Sequence, residues 1–331
     1  MKNAFLYMSA SLAALIFFSL GCGKKSSPQN IFHERDVYVA GYVENAKKVT
    51  VATLWKNGVR YNLSNGILMA RANSVFVSGG DVYVAGYTET VQQVNVAALW
   101  VNGAQRTLSS GSKHDLANSV YVLGGDVYVA GMSGNSQGVP VATLWKNGIP
   151  QWLSSLNSIA NSVFVSGGSI YVAGAELIEP GKIVAMLWVN GVPKRLSQGS
   201  QHDNAYSIYV FGNAVYVGGV ENSRNISQAT LWKNNAPARV GGSNSEAYSV
   251  YAFGNRVYMA GVEKGVAKIS VAGSWQNIAK GSSWAYSICV SNRDIFVAGI
   301  EKGVATVWKN GKGLGLSDGK TKAEAKSVFV A

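Results

Sequence analysis

The sequence predicts an all-β protein built from seven copies of a four-stranded unit, and two repeated phrases carry that prediction. The phrase VYVAG, or a close variant, recurs seven times at intervals of 38 to 45 residues. It begins directly after Asp36, Asp81, Asp126, Ser169, Ala214, Arg256 and Asp294. A second phrase, ATLWKNG or a variant, follows it in copies one to five and in copy seven. The sixth copy is degenerate and has Ser270 where the others have Trp. A repeat of this period indicates one supersecondary unit per copy.

Each copy divides into four strands joined by turns. In "SVFVSGGDVYVAGY" a run of β-branched and aromatic residues is interrupted by Gly79 and Gly80, which accept the positive φ of a two-residue hairpin. In "LWKNGVRYNLS" the Asn57–Gly58 pair is a strong hairpin signal. We name the strands A (SVFV), B (VYVAG), C (ATLW) and D (as in RYNLS). No stretch after the first 22 residues has a helical period over a dozen residues.

These units favour a seven-bladed β-propeller with four antiparallel strands per blade. Radial packing buries both faces of each small sheet, which explains why the strands are nearly continuously apolar. A right-handed β-solenoid is the alternative, but its coils are shorter and lack paired tight hairpins.

The two ends of the repeat region indicate how the ring closes. The first copy begins with strand B at Asp36, and the last residues, Ser327 to Ala331, supply one strand A in excess. We therefore expect the C-terminal strand to pair into the first blade, so that no sheet edge is left open. The segment "NIFHERD", Asn30 to Asp36, competes for the same place but carries the ionisable side chains of His33, Glu34 and Arg35, which the C-terminal strand lacks.

The first 22 residues have the pattern of a signal peptide. Lys2 precedes an apolar stretch that ends in Ser19-Leu20-Gly21-Cys22. This end resembles the lipobox of bacterial lipoproteins, although Leu20 stands two residues before the cysteine instead of three. The resemblance implies that Cys22 is lipidated, that residues 23–35 form a polar tether, and that residues 36–331 form the propeller. The alternative is a secreted protein with an unmodified Cys22.

The repeat "ANSVFVSGGDVYVAGY" also resembles that of bacterial seven-bladed propeller lipoproteins, over nearly all of residues 36–331. The resemblance implies this fold and a place in the cell envelope, anchored to the outer membrane on its periplasmic or surface face. It implies no shared chemistry and no cofactor.

The excess of basic residues indicates which partners the protein is suited to bind. The chain has 29 basic and 17 acidic residues and a net charge of +12, which favours acidic partners such as anionic lipids or acidic glycans. A basic protein that is merely soluble has the same balance. We expect a monomer that does not bind nucleic acid.

Only Cys289 follows the predicted signal peptide, so the domain has no internal disulfide to form, and a buried, inert thiol is expected.

The residue that precedes the Ser of strand A marks a candidate binding site at the mouth of the central channel. Around the ring this residue is Asn73, Asn118, Asn161, Tyr206, Tyr248, Tyr286 and Lys326. Amides can donate to and accept from sugar hydroxyls, and a tyrosine face can cover the apolar side of a pyranose. In the other interpretation, the tyrosines pack between blades and the asparagines cap turns.

Two crossovers contain a His–Asp pair, His114–Asp115 and His202–Asp203. Such pairs can act as acid and base or as metal ligands. A metal site needs three or four convergent ligands, so we predict neither a metal nor a catalytic residue here, and we include all four residues only among the candidate ligand-binding residues. The recurring tryptophans, one in each copy except the sixth and beside the strand B aromatics, are interpreted as core between blades.

The sequence thus predicts a membrane-anchored, non-enzymatic binding module of the bacterial envelope whose loop-rich face takes a glycan or an anionic envelope component. A structural or protein-interaction scaffold in envelope assembly is the second hypothesis. A lyase or hydrolase that uses His114 or His202 is the third.

Overall fold

The computed structural model of the protein describes residues 35–111, 115–200, 202–223 and 226–331. All regular secondary structure in these ranges is β-strand. None of the residues described here forms a helix long and apolar enough to cross a membrane. Cys22, the predicted signal peptide and His114 lie outside the described residues.

Twenty-eight strands follow one another along the described chain. The first fourteen are β1 (Val37–Glu44), β2 (Thr50–Lys56), β3 (Val59–Asn62), β4 (Ala70–Ser78), β5 (Asp81–Glu89), β6 (Asn95–Val101), β7 (Ala104–Thr107), β8 (Leu116–Leu123), β9 (Asp126–Gly134), β10 (Pro140–Lys146), β11 (Ile149–Trp152), β12 (Ser158–Ser166), β13 (Ser169–Glu179) and β14 (Lys182–Val189). The others are β15 (Val192–Arg195), β16 (Asn204–Phe211), β17 (Ala214–Ser223), β18 (Ile226–Lys233), β19 (Ala236–Ser243), β20 (Ser245–Phe253), β21 (Arg256–Glu263), β22 (Val266–Val271), β23 (Ser274–Asn277), β24 (Ser283–Ser291), β25 (Asp294–Glu301), β26 (Val304–Lys309), β27 (Lys312–Gly315) and β28 (Ala323–Val330).

The strands form seven antiparallel sheets of four, as the repeats predicted. Blades 2 to 7 each take four consecutive strands, beginning with β4, β8, β12, β16, β20 and β24. Blade 1 has the order β28-β1-β2-β3, with Val37 opposite Val330, so the predicted closure by the C-terminal strand is confirmed. Strand A is the inner edge of every sheet and lies against strand A of the next blade, so these seven strands surround the central channel.

The C–D turns, and the A–B turns of blades 2 to 7, lie on one face, which we call the bottom. The B–C connections and D–A crossovers lie on the opposite face, the top, and in blades 4, 6 and 7 the B–C connection is itself a two-residue turn. The asparagines of the C–D turns adopt positive φ, as the Asn–Gly signal predicted, with 52° at Asn57. Asn57 also joins the C–D turn of its blade to the start of β1, because its Nδ2 donates to Asp36 Oδ1 over 2.7 Å and its Oδ1 accepts from Val37 N. The start of β1 therefore lies at the bottom face.

The core is divided into clusters between neighbouring blades. Each recurring tryptophan is buried and packs against strands B and C of the preceding blade, as Trp188 of blade 4 does against Tyr128 and Leu144 of blade 3. The interpretation of these tryptophans as core is confirmed.

Blade 6, which lacks this tryptophan, obtains an indole from another strand. Ser270 of β22 is buried, and opposite it in the ladder stands Trp275 of β23. Gly261 of blade 6 and Gly219 of blade 5 occupy the same position in the repeat. A Cβ placed on Gly261 would lie 3.1 Å from the Trp275 ring, and a Cβ placed on Gly219 would lie 2.8 Å from the Trp232 ring. Trp275 thus fills the core space of the missing side chain.

A closed ring of hydrogen bonds joins the seven A strands. The Oγ of each strand A serine accepts from the backbone N–H of an apolar residue on the next blade, at 3.1 to 3.3 Å. The acceptors are Ser74, Ser119, Ser162, Ser207, Ser249, Ser287 and Ser327. Ser287 and Ser327 make the two bonds that involve β28, so blade 1 is joined to both neighbours in the same way as every other blade.

Candidate functional site

A β-bulge interrupts strand A at the same place in all seven blades. In blade 3, Ala117 pairs with Gly131 and Ser119 pairs with Ala130, so Asn118 is the extra residue. The glycine that ends the VYVAG phrase permits the bulge, because a Cβ on Gly131 would stand 1.9 Å from the Leu116 carbonyl oxygen. The same close approach, 1.9 to 2.0 Å, occurs at the corresponding glycine of every blade.

The seven bulge residues are the predicted candidate residues, and the structure brings them together as one layer around the channel. They are Asn73, Asn118, Asn161, Tyr206, Tyr248, Tyr286 and Lys326. All seven are half-buried. They stand within strand A, at the bulge, and not at the start of the strand as the sequence suggested, because the strand continues for two or three residues before them.

The amide half of the layer lies on blades 2 to 4. Asn73 donates through Nδ2 to the carbonyl oxygen of Ala117 on the next blade at 3.0 Å, and Asn118 and Asn161 repeat this bond to Ala160 and Ala205. Each amide is thereby held in one orientation. Their Oδ1 atoms accept no hydrogen bond from any described residue, so three acceptors on successive blades are free for a ligand.

The phenol half lies on blades 5 to 7. Tyr206 and Tyr248 have ring centroids 5.2 Å apart, and Tyr248 and Tyr286 have centroids 5.6 Å apart, each pair tilted. The Tyr206 hydroxyl donates to Glu246 Oε2 at 2.8 Å. Burial, with the Glu246 charge, raises the pKa of Tyr206 and Tyr248 well above their usual range, so both phenols are neutral donors.

Lys326 closes the layer beside a buried carboxylate. Its Nζ lies 2.6 Å from Glu324 Oε2 and 3.7 Å from the centre of the Tyr286 ring. Lys322 approaches the other carboxylate oxygen at 3.4 Å. Burial acts to raise the pKa of Glu324, but Lys326 and its other neighbours outweigh burial and bring that pKa to about 2. Burial lowers the pKa of Lys326, although Glu324 opposes this.

Sequence reasoning missed the residues two places before the bulge. Around the ring this position holds Glu324, Arg71, Leu116, Ile159, Asn204, Glu246 and Trp284. Only three of the seven are ionisable, and no repeated letter marks the position. The invariant spacing from the strand A serine was the available signal, since it would have aligned Glu246 and Glu324 with Arg71.

Below this layer, aromatic rings of strand A stack from blade to blade with centroids 4.5 to 4.9 Å apart. They are Phe329, Phe76, Tyr121, Phe164, Tyr209 and Tyr251. Cys289 takes the seventh place and is buried, and burial raises the pKa of its thiol to about 11. A neutral, inaccessible thiol agrees with the inert role expected for it.

The His–Asp pairs are not assembled as an acid–base site in the part of the chain that the structure describes. Asp203 is buried and accepts hydrogen bonds from Asn222 N at 2.8 Å and from the Ser200 hydroxyl, whereas His202 is exposed. Asp115 is buried and accepts from Gly134 N at 3.0 Å. These carboxylates therefore hold backbone at the blade junctions. Within the described ranges, no three His, Cys, Asp or Glu side chains are placed to hold a metal ion.

Comparison with solved structures gives the same architecture in other proteins. A puromycin-hydrolysing peptidase from Mycobacterium tuberculosis superposes with a TM-score of 0.55 and 11% identity, over 87% of this chain and 50% of that one. The β-propeller domain of the Trilobed protease from Pyrococcus furiosus gives 0.53 and 13%, over 86% of this chain and 95% of that one. What they share with this chain is the β-propeller fold.

The fold is all that this likeness shows, because the sequence identities are low. The chain spans about half the length of the peptidases it matches. The Pyrococcus furiosus domain is described as having an open velcro topology, whereas β28 pairs with β1 here. No protein-family model matches the sequence, and no curated protein sequence does.

Proposed function

We propose that this protein is a non-enzymatic binding module of the bacterial cell envelope that takes a glycan, or another hydroxyl-rich and anionic envelope component, at the top of its central channel. The observation that carries the proposal is the bulge layer. Asn73, Asn118 and Asn161 present three oriented, unused amide oxygens, and tilted phenol rings lie on the opposite blades. Sugars need both acceptors for hydroxyls and aromatic faces for their C–H surfaces.

The proposed anchor is compatible with this use of the top face. Lipidation at Cys22 would attach the propeller through the segment that precedes β1, and β1 starts at the bottom face beside the C–D turn. The channel mouth is on the face opposite to the start of β1.

The test is binding of the propeller unit, Ile31–Ala331, to an array of neutral and acidic glycans at low and moderate salt. We expect salt-resistant binding of particular sugars. An Asn73→Ala/Asn118→Ala variant should lose about tenfold or more in affinity because two ligand acceptors are removed. Asn277→Ala, an exposed change on the outer strand of blade 6, is the matched control and should bind as the wild type does.

The second candidate, a scaffold that binds a protein, is supported by apolar side chains on the top loops of blades 1 and 2. Ile67 and Val91 are 73% and 76% exposed, and Met69 beside them is also exposed. Absence of sugar binding by the wild-type propeller would overturn the first proposal and favour this one.

A further inference from the structure

Three cations and one buried carboxylate meet at the top of the channel between blades 1 and 2. Lys326 and Lys322 both contact Glu324, at 2.6 and 3.4 Å. Arg71, on the adjacent strand β4, is close enough to Lys326 to contribute to the lowering of its pKa. One carboxylate cannot balance three cations, so this part of the channel mouth carries an excess of positive charge.

Arg71 is held in place but has no anionic partner. Its Cζ lies 4.4 Å from the centre of the Tyr42 ring, and Tyr42 is fully buried. The Arg71 Nε is buried and unpaired, and the guanidinium makes no hydrogen bond or ion pair with any described residue. A guanidinium that is partly desolvated and fixed by an aromatic face, with its donors unused, is prepared for a carboxylate or phosphate.

This cationic cluster is continuous with the amide half of the bulge layer. Arg71 lies two residues before Asn73 on β4, and Lys326 is the bulge residue of the neighbouring blade. A ligand whose hydroxyls bind the amides of blades 2 to 4 would therefore bring an adjacent substituent to Arg71.

The opposite side of the channel mouth carries a negative charge that no cation among the described residues balances. Glu246 accepts from Tyr206, and no Lys or Arg of the described chain lies within ion-pair distance of it. A negatively charged group is repelled there. The two sides together allow an acidic ligand one orientation only.

We propose that Arg71, assisted by Lys326 and Lys322, binds the acidic group of a charged sugar whose hydroxyls contact Asn73 and Asn118. This inference rests on the proposed function and narrows its ligand to an acidic glycan, with a carboxylate or phosphate on the sugar next to the amides. Arg71 can engage either anion through two parallel N–H donors.

The experiment compares wild type, Arg71→Gln and Arg106→Gln by calorimetry with four probes: an oligouronate, a phosphorylated sugar, and the neutral parent of each. Arg106 is exposed on β7 of the same blade, so its variant makes the same change of charge away from the channel. Arg71 contacts the Tyr42 ring but makes no hydrogen bond or ion pair with a described residue, so its replacement should lower the melting temperature by only a few degrees.

We expect Arg71→Gln to weaken binding of the matching acidic probe at least tenfold, to leave binding of its neutral parent unchanged, and Arg106→Gln to affect neither. Which acidic probe responds identifies carboxylate or phosphate as the anion. Equal losses in both variants, or no loss in Arg71→Gln, would overturn the inference while leaving sugar binding intact. Failure of the wild type to bind acidic and neutral probes alike would instead refute the proposed function.

Discussion

A single backbone detail decides which side chains reach the channel. The glycine that ends each VYVAG phrase lets a carbonyl of strand A approach to a distance that no Cβ would tolerate, as Gly131 does with Leu116. The bulge that this approach produces adds one residue on the channel side of each blade. Seven repeated glycines thus create seven extra positions, whose side chains are free to differ because the backbone alone fixes their place.

Glu324, which contacts the bulge residue Lys326, shows what this environment does to a charge, and it predicts a pH dependence of stability. Its pKa falls from 4.5 to about 2, so its ionised form stabilises the native state by about 3 kcal/mol above pH 4.5, and this contribution is lost as the pH falls toward 2. Glu324→Gln should therefore be less stable than wild type at pH 7 and nearly equal to it at pH 2, as measured by urea unfolding across this range.

The control for that prediction is Glu179→Gln, which removes an exposed carboxylate at the end of β13. A stability difference at Glu324 that is the same at every pH would show that packing, and not charge, is what the substitution removes.

The equivalence of the seven layer residues could be predicted from the sequence, but their chemical setting could not. Counting from the repeated serine identifies Asn118 and Tyr248 as counterparts. The hydrogen-bond partners of Asn118 and Tyr206 lie on the neighbouring blade, and that of Tyr206, Glu246, stands at a position where other copies have Leu or Trp. Hydrogen bonds between blades depend on the geometry of the ring, which no single copy contains.

At the level of the strand, blade 6 shows that the fold requires an indole in a particular volume and not at a particular residue. The sequence marks this copy as degenerate because Ser270 replaces the tryptophan. Sequence reasoning could not predict the replacement, because Trp275 lies on strand D, where side chains are exposed in most blades. Cross-strand pairing of Ser270 with Trp275 explains it, since the two side chains start from opposed positions on one face.

Removal of this indole should be costly even though it comes from an outer strand of four residues. We expect Trp275→Ala to lower the free energy of unfolding by about 3 kcal/mol, as loss of a packed aromatic does. Trp152→Ala, on the outer strand of blade 3, is the matched control, because Trp152 is 51% exposed and its loss should change stability by about 0.5 kcal/mol or less.

A compensating change tests the relocation directly. Ser270→Trp in a Trp275→Ser background restores the arrangement of the other blades and should recover most of the lost stability in denaturant unfolding. If the double variant is no more stable than Trp275→Ser alone, the two positions do not share one volume.

For the whole molecule, β28 is the element on which closure depends. It supplies the inner strand of blade 1, and Ser327 and Val328 complete the ring of serine hydrogen bonds. Deletion of residues 327–331 removes both bonds, the buried Val328 and the stacked Phe329. We expect a loss of about 4 kcal/mol or more in chemical unfolding.

The comparison for that deletion is Ser327→Ala, which removes one acceptor of the ring and should cost about 1 kcal/mol. A deletion that costs no more than this substitution would contradict the role assigned to β28.

The number of blades and the identity of the closing strand could be read from the sequence because both follow from counting repeats. The serine ring could not, because it consists entirely of bonds between residues 39 to 46 positions apart, and 252 apart where blade 1 meets blade 2. Its repetition nonetheless explains why a serine recurs at that place in strands that are otherwise apolar.

The pairing of β28 with β1 has one more consequence. Ala331 N donates to the carbonyl oxygen of Asp36 at 3.0 Å, so the residue after β28 and the residue before β1 are already hydrogen-bonded neighbours. A short linker could join them without moving a blade, and any of the D–A crossovers could then be cut to give a circular permutant with all seven sheets intact. The order of the blades along the chain is therefore not required by the fold, and each blade is an equivalent starting point.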